Sequence, residues 1–378
     1  IYNHHEQACA IAAESYARIH NKIAAVCVTT GPGGSNAITG VLGGYLDSIP
    51  MLILSGQVRY DTTARSTGLS IRAMGDQEFD IVKAIGCMTK YSEMVVDAKR
   101  IRYCLEKALF IAQHGRPGPC WLDIPLNIQG GYIETDDLEG YDPKEYETEL
   151  PPPVSKETVA AILQKVKQSQ RPVFYAGNGI RISGGFDAFC RVVEKLGIPV
   201  VTGWNSIDAM YDDHPLYVGR GGIMGDRAGN FAVQNSDLVL SIGSRLSIRQ
   251  VGYNYQTWAR EAYVIMEDVD AEELKKPTLH VDLPIHADAK DLLEKLDAAL
   301  PGGEPLFHGP DWISRCQGWK RDYPVVQKKH YEQEGLANVY CLIKELSRRL
   351  KENQITVVGN GSACVVGSHG YEIKKGQR

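Results

Sequence analysis

Along the first fifty residues the spacing of apolar positions changes twice. Ala8, Ile11, Ala12, Ser15, Tyr16 and Ile19 recur at three- and four-residue intervals, which predicts a helix with one small, apolar face. Ala24 to Thr29 is a short apolar, partly β-branched run and reads as a buried strand. The turn Thr29-Thr30-Gly31-Pro32-Gly33-Gly34-Ser35-Asn36 follows, with Ser35 or Asn36 placed to cap a helix that runs to about Asp47. Met51 to Ser55 is the next strand. The unit is β-loop-α-β, and open parallel sheets bind ligands at the carboxyl ends of their strands. Beyond it, residues 57–80 (Arg59, Thr62, Thr63, Arg65, Ser66, Thr67, Gly68, Gly75) read as a polar loop. A helix at about Ala98–His114 and the turn Arg116-Pro117-Gly118-Pro119 lead into a strand, Cys120–Ile124.

The pattern breaks at 130–153, where eight acids between Glu134 and Glu149 precede Pro151-Pro152-Pro153. Charge and proline make this a linker. The alternation then resumes. Strands are expected at Val173–Ala176, Pro199–Thr202, Asp237–Ile242 and Tyr263–Met266, with a helix at about Phe186–Leu196. Such alternation argues a parallel, Rossmann-like sheet. A second glycine-rich loop holds Gly219, Gly221, Gly222 and Gly225, and Glu267, Asp268 and Asp270 fall just past a strand end, where acids suit ribose hydroxyls. Pro301–Gly335, with Trp312, Trp319 and Tyr323, reads as a second linker. From about Asn338 a helix and a strand at Ile355–Val358 open a further domain. The expected class is therefore α/β with parallel sheets. The expected division is a first domain over 1–130, a linker over 131–156, a central Rossmann-like domain over 157–300, a linker over 301–336, and the start of a third domain over 337–378.

Composition narrows the function classes. At 378 residues with 43% hydrophobic content, the chain can build two or three real cores. A net charge of −5 gives no electrostatic reason to expect nucleic acid, and no apolar run approaches the ~20 residues of a membrane helix. Nine scattered cysteines without a Cys-x-x-Cys pair fit buried thiols in a reducing, cytoplasmic setting. The abrupt start at Ile1-Tyr2-Asn3-His4 reads as a cut, and any targeting peptide would lie ahead of it. His4 and His5 do not make a metal pair, because neighbours point to opposite sides of the chain and no His-Glu-x-x-His is present.

The first glycine turn is neither a Walker loop, since no Gly-Lys-Ser/Thr follows, nor a Gly-x-Gly-x-x-Gly dinucleotide turn. Taken alone it is also what an ordinary α/β turn looks like, and Glu6 is also what a helix dipole favours in a first turn. The wider series is more specific: His5-Glu6-Gln7-Ala8, Thr30-Gly31-Pro32-Gly33-x-x-Asn36, Tyr45-Leu46-Asp47-Ser48-x-Pro50, Ser55-Gly56-Gln57, Gln77-Glu78-x-Asp80-Ile81-Val82 and Gly115-Arg116-Pro117-Gly118-Pro119, in that order. Together these resemble the pyrimidine-binding domain of thiamine-diphosphate enzymes, in the acetolactate synthase branch. The resemblance covers nearly the whole chain, most closely residues 1–130.

The resemblance implies decarboxylation of a 2-keto acid with carboligation to a second carbonyl, through ylide and enamine intermediates. It makes Glu6 the acid that hydrogen-bonds a pyrimidine nitrogen, a role that a pKa raised by burial would suit. Gly31, Gly33 and Asn36 then line the pyrimidine, Gln77 lies near the reacting centre, and Lys90 is a substrate-side candidate. Arg116 of the first domain, with Gly221, Gly222, Asp268 and Asp270 of the central domain, matches residues that contact FAD in relatives, although many relatives bind no flavin. Magnesium is implied too, but its Gly-Asp-Gly and downstream Asn are absent from 1–378. Homodimers or homotetramers with shared active sites are implied as well. One position departs from the branch: Asp76 stands before Gln77-Glu78 where acetolactate synthases carry phenylalanine. A carboxylate there disfavours a second keto acid and fits a hydroxylated or amino-bearing acceptor. Three alternatives stay open: a simple 2-keto acid decarboxylase, a non-catalytic nucleotide-binding homologue, and a dinucleotide enzyme working through residues 170–300 alone.

Overall fold

All ten strands pair in parallel, so each crossover returns the chain to the same end of its sheet. A computed structural model describes residues 1–378, divided into two units, Ile1–Leu150 and Pro151–Arg378. Strands buried on both faces need continuous apolar runs, which the central strands supply.

The first unit contains β1 (Ala24–Val28), β2 (Met51–Gln57), β3 (Tyr91–Met94) and β4 (Pro119–Pro125), in the order β1-β2-β4-β3. Its principal helices are α1 (Glu6–His20), α2 (Pro32–Leu46) and α3 (Ile101–Gln113). The face of α1 that packs on α2 is not the one predicted: Ala8, Ile11, Ala12, Ser15 and Tyr16 are exposed, Ala10 and Ala17 are buried, and a β-carbon on Gly40 would lie 2.6 Å from the Ala10 methyl. Arg18 Nη2 fastens the far ends together, 2.6 Å from Asp47 Oδ2. One expectation for α2 is corrected. Neither Ser35 nor Asn36 caps it. Gly31 occupies the cap position at φ 58°, ψ −111°, and Pro32 follows in the first turn, where its missing N–H has no helical partner to lose.

The second unit contains β5 (Pro172–Ala176), β6 (Val200–Thr202), β7 (Tyr217–Arg220), β8 (Leu238–Ile242), β9 (Tyr263–Asp268) and β10 (Leu283–His286), in the order β10-β9-β8-β5-β6-β7. The chain starts at the centre with β5, winds outward through β6 and β7, then returns to β8 and winds the other way. The switch point of this sheet lies between β5 and β8.

Several expectations fail for physical reasons. The acid-rich stretch 131–150, expected as linker, folds onto α3: Tyr141 is buried, its ring 5.6 Å from Tyr103 and 5.8 Å from Phe110, and Glu106 Oε2 accepts its N–H at 2.8 Å. Its aromatic side chains outweigh its charge. The stretch 301–336 is not plain linker either. A helix at Pro310–Asp322 buries Trp312 and Cys316, and Trp312 Nε1 donates to the Pro172 carbonyl at 2.9 Å. Residues 337–378 fall in the same unit as the central sheet: buried Arg220 donates to the Tyr371 carbonyl at 2.7 Å. Ile355–Val358 forms no strand, because no neighbouring strand pairs with it, and Val357 stands 90% exposed. Cys27, Cys87 and Cys190 are exposed, so the thiols are not uniformly buried.

Candidate active site

Glu6 is the first residue of α1, and the His5 ring caps that helix by accepting the Gln7 N–H at 3.1 Å. Because α1 packs on α2, Glu6 meets Asn36: the amide of Asn36 donates to Glu6 Oε2 at 3.1 Å. Glu6 is half-buried. Its carboxyl is held below the usual range by its own backbone N–H and by Asn36. The expected rise through burial does not occur, since donors at a helix start favour the charged form.

The glycine turn closes against a second segment. A β-carbon on Gly31 would fall 2.2 Å from the Gln77 carbonyl oxygen, and one on Gly33 2.8 Å from the Thr29 methyl. Gln77 itself has φ 56°, uncommon for a side-chain-bearing residue. It is held there by Glu78, whose carboxylate accepts the backbone N–H groups of Ala64 at 2.7 Å, Met74 at 2.7 Å and Gly75 at 3.1 Å. Asp76 is exposed on the same loop. Beside these lies a cavity of about 920 Å³ whose lining includes Glu6, Thr29, Thr30, Ser55, Gln57 and Ile124, at the carboxyl ends of β1, β2 and β4.

Under this cavity runs a buried polar network that the sequence reading passed over. Asp123 Oδ1 accepts the Ser55 hydroxyl at 2.6 Å, and Oδ2 accepts the Gln57 amide at 3.0 Å. Trp121 Nε1 donates to Ser55 Oγ at 2.8 Å, and the Thr30 hydroxyl donates to Gln57 Oε1 at 2.6 Å. Burial pushes the Asp123 carboxyl up to about 6, against the lowering effect of Ser55 and Gln57. A signal was present: Ser55, Gln57 and Asp123 are the polar residues ending the apolar runs Met51–Leu54 and Pro119–Leu122.

Two candidates fall elsewhere. Lys90 is corrected from substrate contact to helix-end support. Its backbone N–H bonds to Pro119 at the start of β4, opposite the cavity, and its ammonium donates to the carbonyls of Ile111 and His114 at the end of α3. Arg116 precedes the same strand start, with Nε 3.0 Å from Ser48 Oγ.

In the second unit, Gly221 and Gly222 lie in the turn after β7, but their own surroundings already require glycine. A β-carbon would come 2.7 Å from the Tyr175 ring at Gly221 and 2.5 Å from the Arg249 carbonyl at Gly222. Glu267 and Asp268 are buried inside β9, not past its end, and Asp268 Oδ1 accepts the Asp270 N–H at 2.9 Å. Tyr175 and Ser241 are register partners across the β5/β8 switch point, and both hydroxyls are buried without a partner. Orphaned hydroxyls at a switch point suit a polar ligand edge.

Comparison with known proteins matches two segments of the chain to one family. Residues 1–84 match the model described as thiamine pyrophosphate enzyme, N-terminal TPP binding domain, and residues 159–296 match thiamine pyrophosphate enzyme, central domain. A probable acetolactate synthase large subunit of Methanocaldococcus jannaschii is 33% identical over 372 residues, covering 94% of this chain and 59% of that protein. The acetolactate synthase large subunit of Lactococcus lactis is 35% identical over 293 residues, covering 77% and 49%. A chloroplastic acetolactate synthase 2 of Zea mays is 33% identical over 386 residues, covering 99% and 57%. The chain thus spans about half to three-fifths of these relatives' length.

Proposed function

The chain belongs to the thiamine pyrophosphate enzymes, with their N-terminal and central domains, and on that premise we propose that it decarboxylates a 2-keto acid and joins the remaining carbons to a carbonyl acceptor, in the manner of an acetolactate synthase. The observation that carries the proposal is the Glu6–Asn36 pair beside a cavity at the carboxyl ends of parallel strands. Bound thiamine diphosphate supplies a nucleophilic carbon and an electron sink for the departing carbon dioxide. Glu6, ionised and donor-supported, holds the proton of a ring N–H on that cofactor. Asn36 fixes the carboxylate's direction. Gly31 and Gly33 keep the turn free of side chains, so the Gln77 segment closes over it. Asp76, exposed beside Gln77, favours an acceptor carrying hydroxyl or amino groups over a second keto acid.

The implied groups differ in their fit. No group of three or more His, Cys, Asp or Glu side chains in residues 1–378 is placed to hold a metal ion, and the Gly-Asp-Gly with a downstream Asn that the resemblance assigns to magnesium is absent from these residues. FAD is supported within the second unit by the orphaned Tyr175 and Ser241 hydroxyls and by Asp268 and Asp270 near the strand ends. It is opposed by the filled surroundings of Gly221 and Gly222. The exposed apolar residues Ile11, Tyr16, Leu42 and Leu46 on α1 and α2 support a homodimer or homotetramer. No helix is long and apolar enough to cross a membrane.

The test is carbon dioxide release by the full-length protein with thiamine diphosphate and magnesium. A panel of 2-keto acids is offered with and without aldehyde acceptors, beside Glu6→Gln. Release that collapses in the variant supports the proposal. Release indifferent to Glu6, or none from any acid, overturns it.

A further inference from the structure

The network beneath the cavity admits only one arrangement of hydrogens. An indole N–H can only donate, so Ser55 Oγ accepts from Trp121 and its single proton goes to Asp123 Oδ1. Gln57 is fixed in the same way. Val58 N–H can only donate, at 3.0 Å, which sets the facing atom as Oε1, where the Thr30 hydroxyl also donates. Both hydrogens of Gln57 Nε2 are then used, one on the Phe79 carbonyl at 3.0 Å and one on Asp123 Oδ2. Both oxygens of Asp123 therefore face donors, and the pattern closes only if that carboxyl carries no proton. Protonation would leave one donor, from Ser55 or from Gln57, without its acceptor among side chains that are all buried.

The two outputs of the network are functional places. Through Gln57 it reaches Thr30, which enters the glycine turn, and Phe79, two residues past the Gln77 carbonyl that closes over Gly31. We infer that Asp123 is a positioning residue: as a carboxylate it locks Gln57, and Gln57 holds the glycine turn and the Gln77 segment in register over the cofactor's ring, so that catalysis fails when Asp123 is protonated. This rests on the thiamine reading above. Two ionisable groups face Asp123: Asp80, which opposes its charge, and Arg65, which favours it. With its carboxyl up at about 6, the switch lies just under neutral pH.

The full-length protein, supplied with thiamine diphosphate and magnesium, is assayed for carbon dioxide release from pH 5 to 8 as wild type, Asp123→Asn and Ser55→Ala. Wild type should lose rate below about pH 6. Ser55→Ala removes a donor that favours the ionised form, so its acid limb should move to higher pH. Asp123→Asn should lose about ten- to a hundredfold in kcat/KM, the scale of one charge-assisted hydrogen bond, and lose the acid limb altogether. A merely structural role would scale all three profiles without moving the limb. A second readout needs no turnover. With 5-fluorotryptophan incorporated, the Trp121 resonance (assigned with Trp121→Phe) should titrate near pH 6 in wild type and stay flat in Asp123→Asn. An active wild type whose acid limb is unchanged in Asp123→Asn, or a Trp121 signal that does not titrate, overturns the inference alone. A wild type that releases no carbon dioxide overturns the thiamine reading, and the inference with it.

Discussion

The carbonyl oxygen of Gln77 lies 2.2 Å from the place where a β-carbon on Gly31 would stand. The contact is backbone against backbone, so neither side can yield by turning a rotamer. At φ 58° Gly31 also holds a conformation that side-chain-bearing residues rarely adopt. Gly31→Ala should therefore destabilise the first unit by ~1–3 kcal/mol and displace the Gln77 segment. Denaturant midpoints read the first effect, and carbon dioxide release reads the second. An active Gly31→Ala protein of unchanged stability would contradict this account of the turn.

Asn36 donates to Glu6 and helps to hold its carboxyl low. A carboxyl lowered in the folded chain contributes stability that is present above its ordinary value near 4.5 and lost as pH falls through the folded value. Asn36→Asp would replace that donor with a second carboxylate 3.1 Å away and push the Glu6 carboxyl up. Carbon dioxide release should fall at pH 7 and recover less in Asn36→Asp than in Asn36→Ser, as measured in parallel pH series.

Lys90 supplies a contrast, because its chemistry is structural. Burial pushes its ammonium down to about 8, from 10.5 in an exposed chain. Between those values the unfolded chain holds the proton and the folded chain does not. The burial penalty is therefore present below about 8 and relieved as pH rises toward 10.5. Wild type should gain stability relative to Lys90→Met between pH 8 and 10, read from urea midpoints. The KM for the keto acid should not change, since Lys90 stands at the opposite end of the sheet from the cavity.

Asp123 carries the opposite sign. Its carboxyl is raised to about 6 from 3.8, so the folded chain keeps a proton that the unfolded chain releases. The stability this confers is complete below about 3.8 and is lost as pH rises through about 6. Relative to Asp123→Asn, wild type should be less stable at pH 7 than at pH 4, in paired denaturant titrations at the two pH values. A functional carboxylate kept at a cost to stability is a familiar trade in active sites.

Much of the architecture was legible without coordinates, for reasons of period. Strand and helix runs such as Ala24–Val28 and Phe186–Leu196 advertise themselves because burial on one face or both imposes a repeat on a short window. Tyr141 and Trp312 show where that reading stops. Each sits in a stretch whose charge or proline content reads as linker, and each is buried by an aromatic or backbone partner far away in the chain. Local composition does not report a distant partner.

The candidate site divides in the same way. Glu6, Gly31, Gly33, Asn36 and Gln77 were named from the order of short motifs, and the fold brings Glu6 to Asn36 and Gly31 to Gln77. Lys90, named as a substrate-side candidate, lies at the other end of the sheet, because residue order does not say which end of a sheet a side chain meets. Ser55 and Gln57 were named only as one short motif of the series, and Asp123, a polar residue at the end of an apolar run, was not named. Only β2 lying beside β4, with Ser55 level with Asp123 and Gln57 two residues on, turns them into one network. The sequence by itself determined many of the strands and helices, Ala24–Val28 and Phe186–Leu196 among them, and the glycine-rich turn between β1 and α2, since these depend on neighbours a few residues apart. The tertiary structure decided the direction of Lys90, the Asn36 donor that meets Glu6 and the buried charge of Asp123, because desolvation and these donors come from residues that only folding brings within reach.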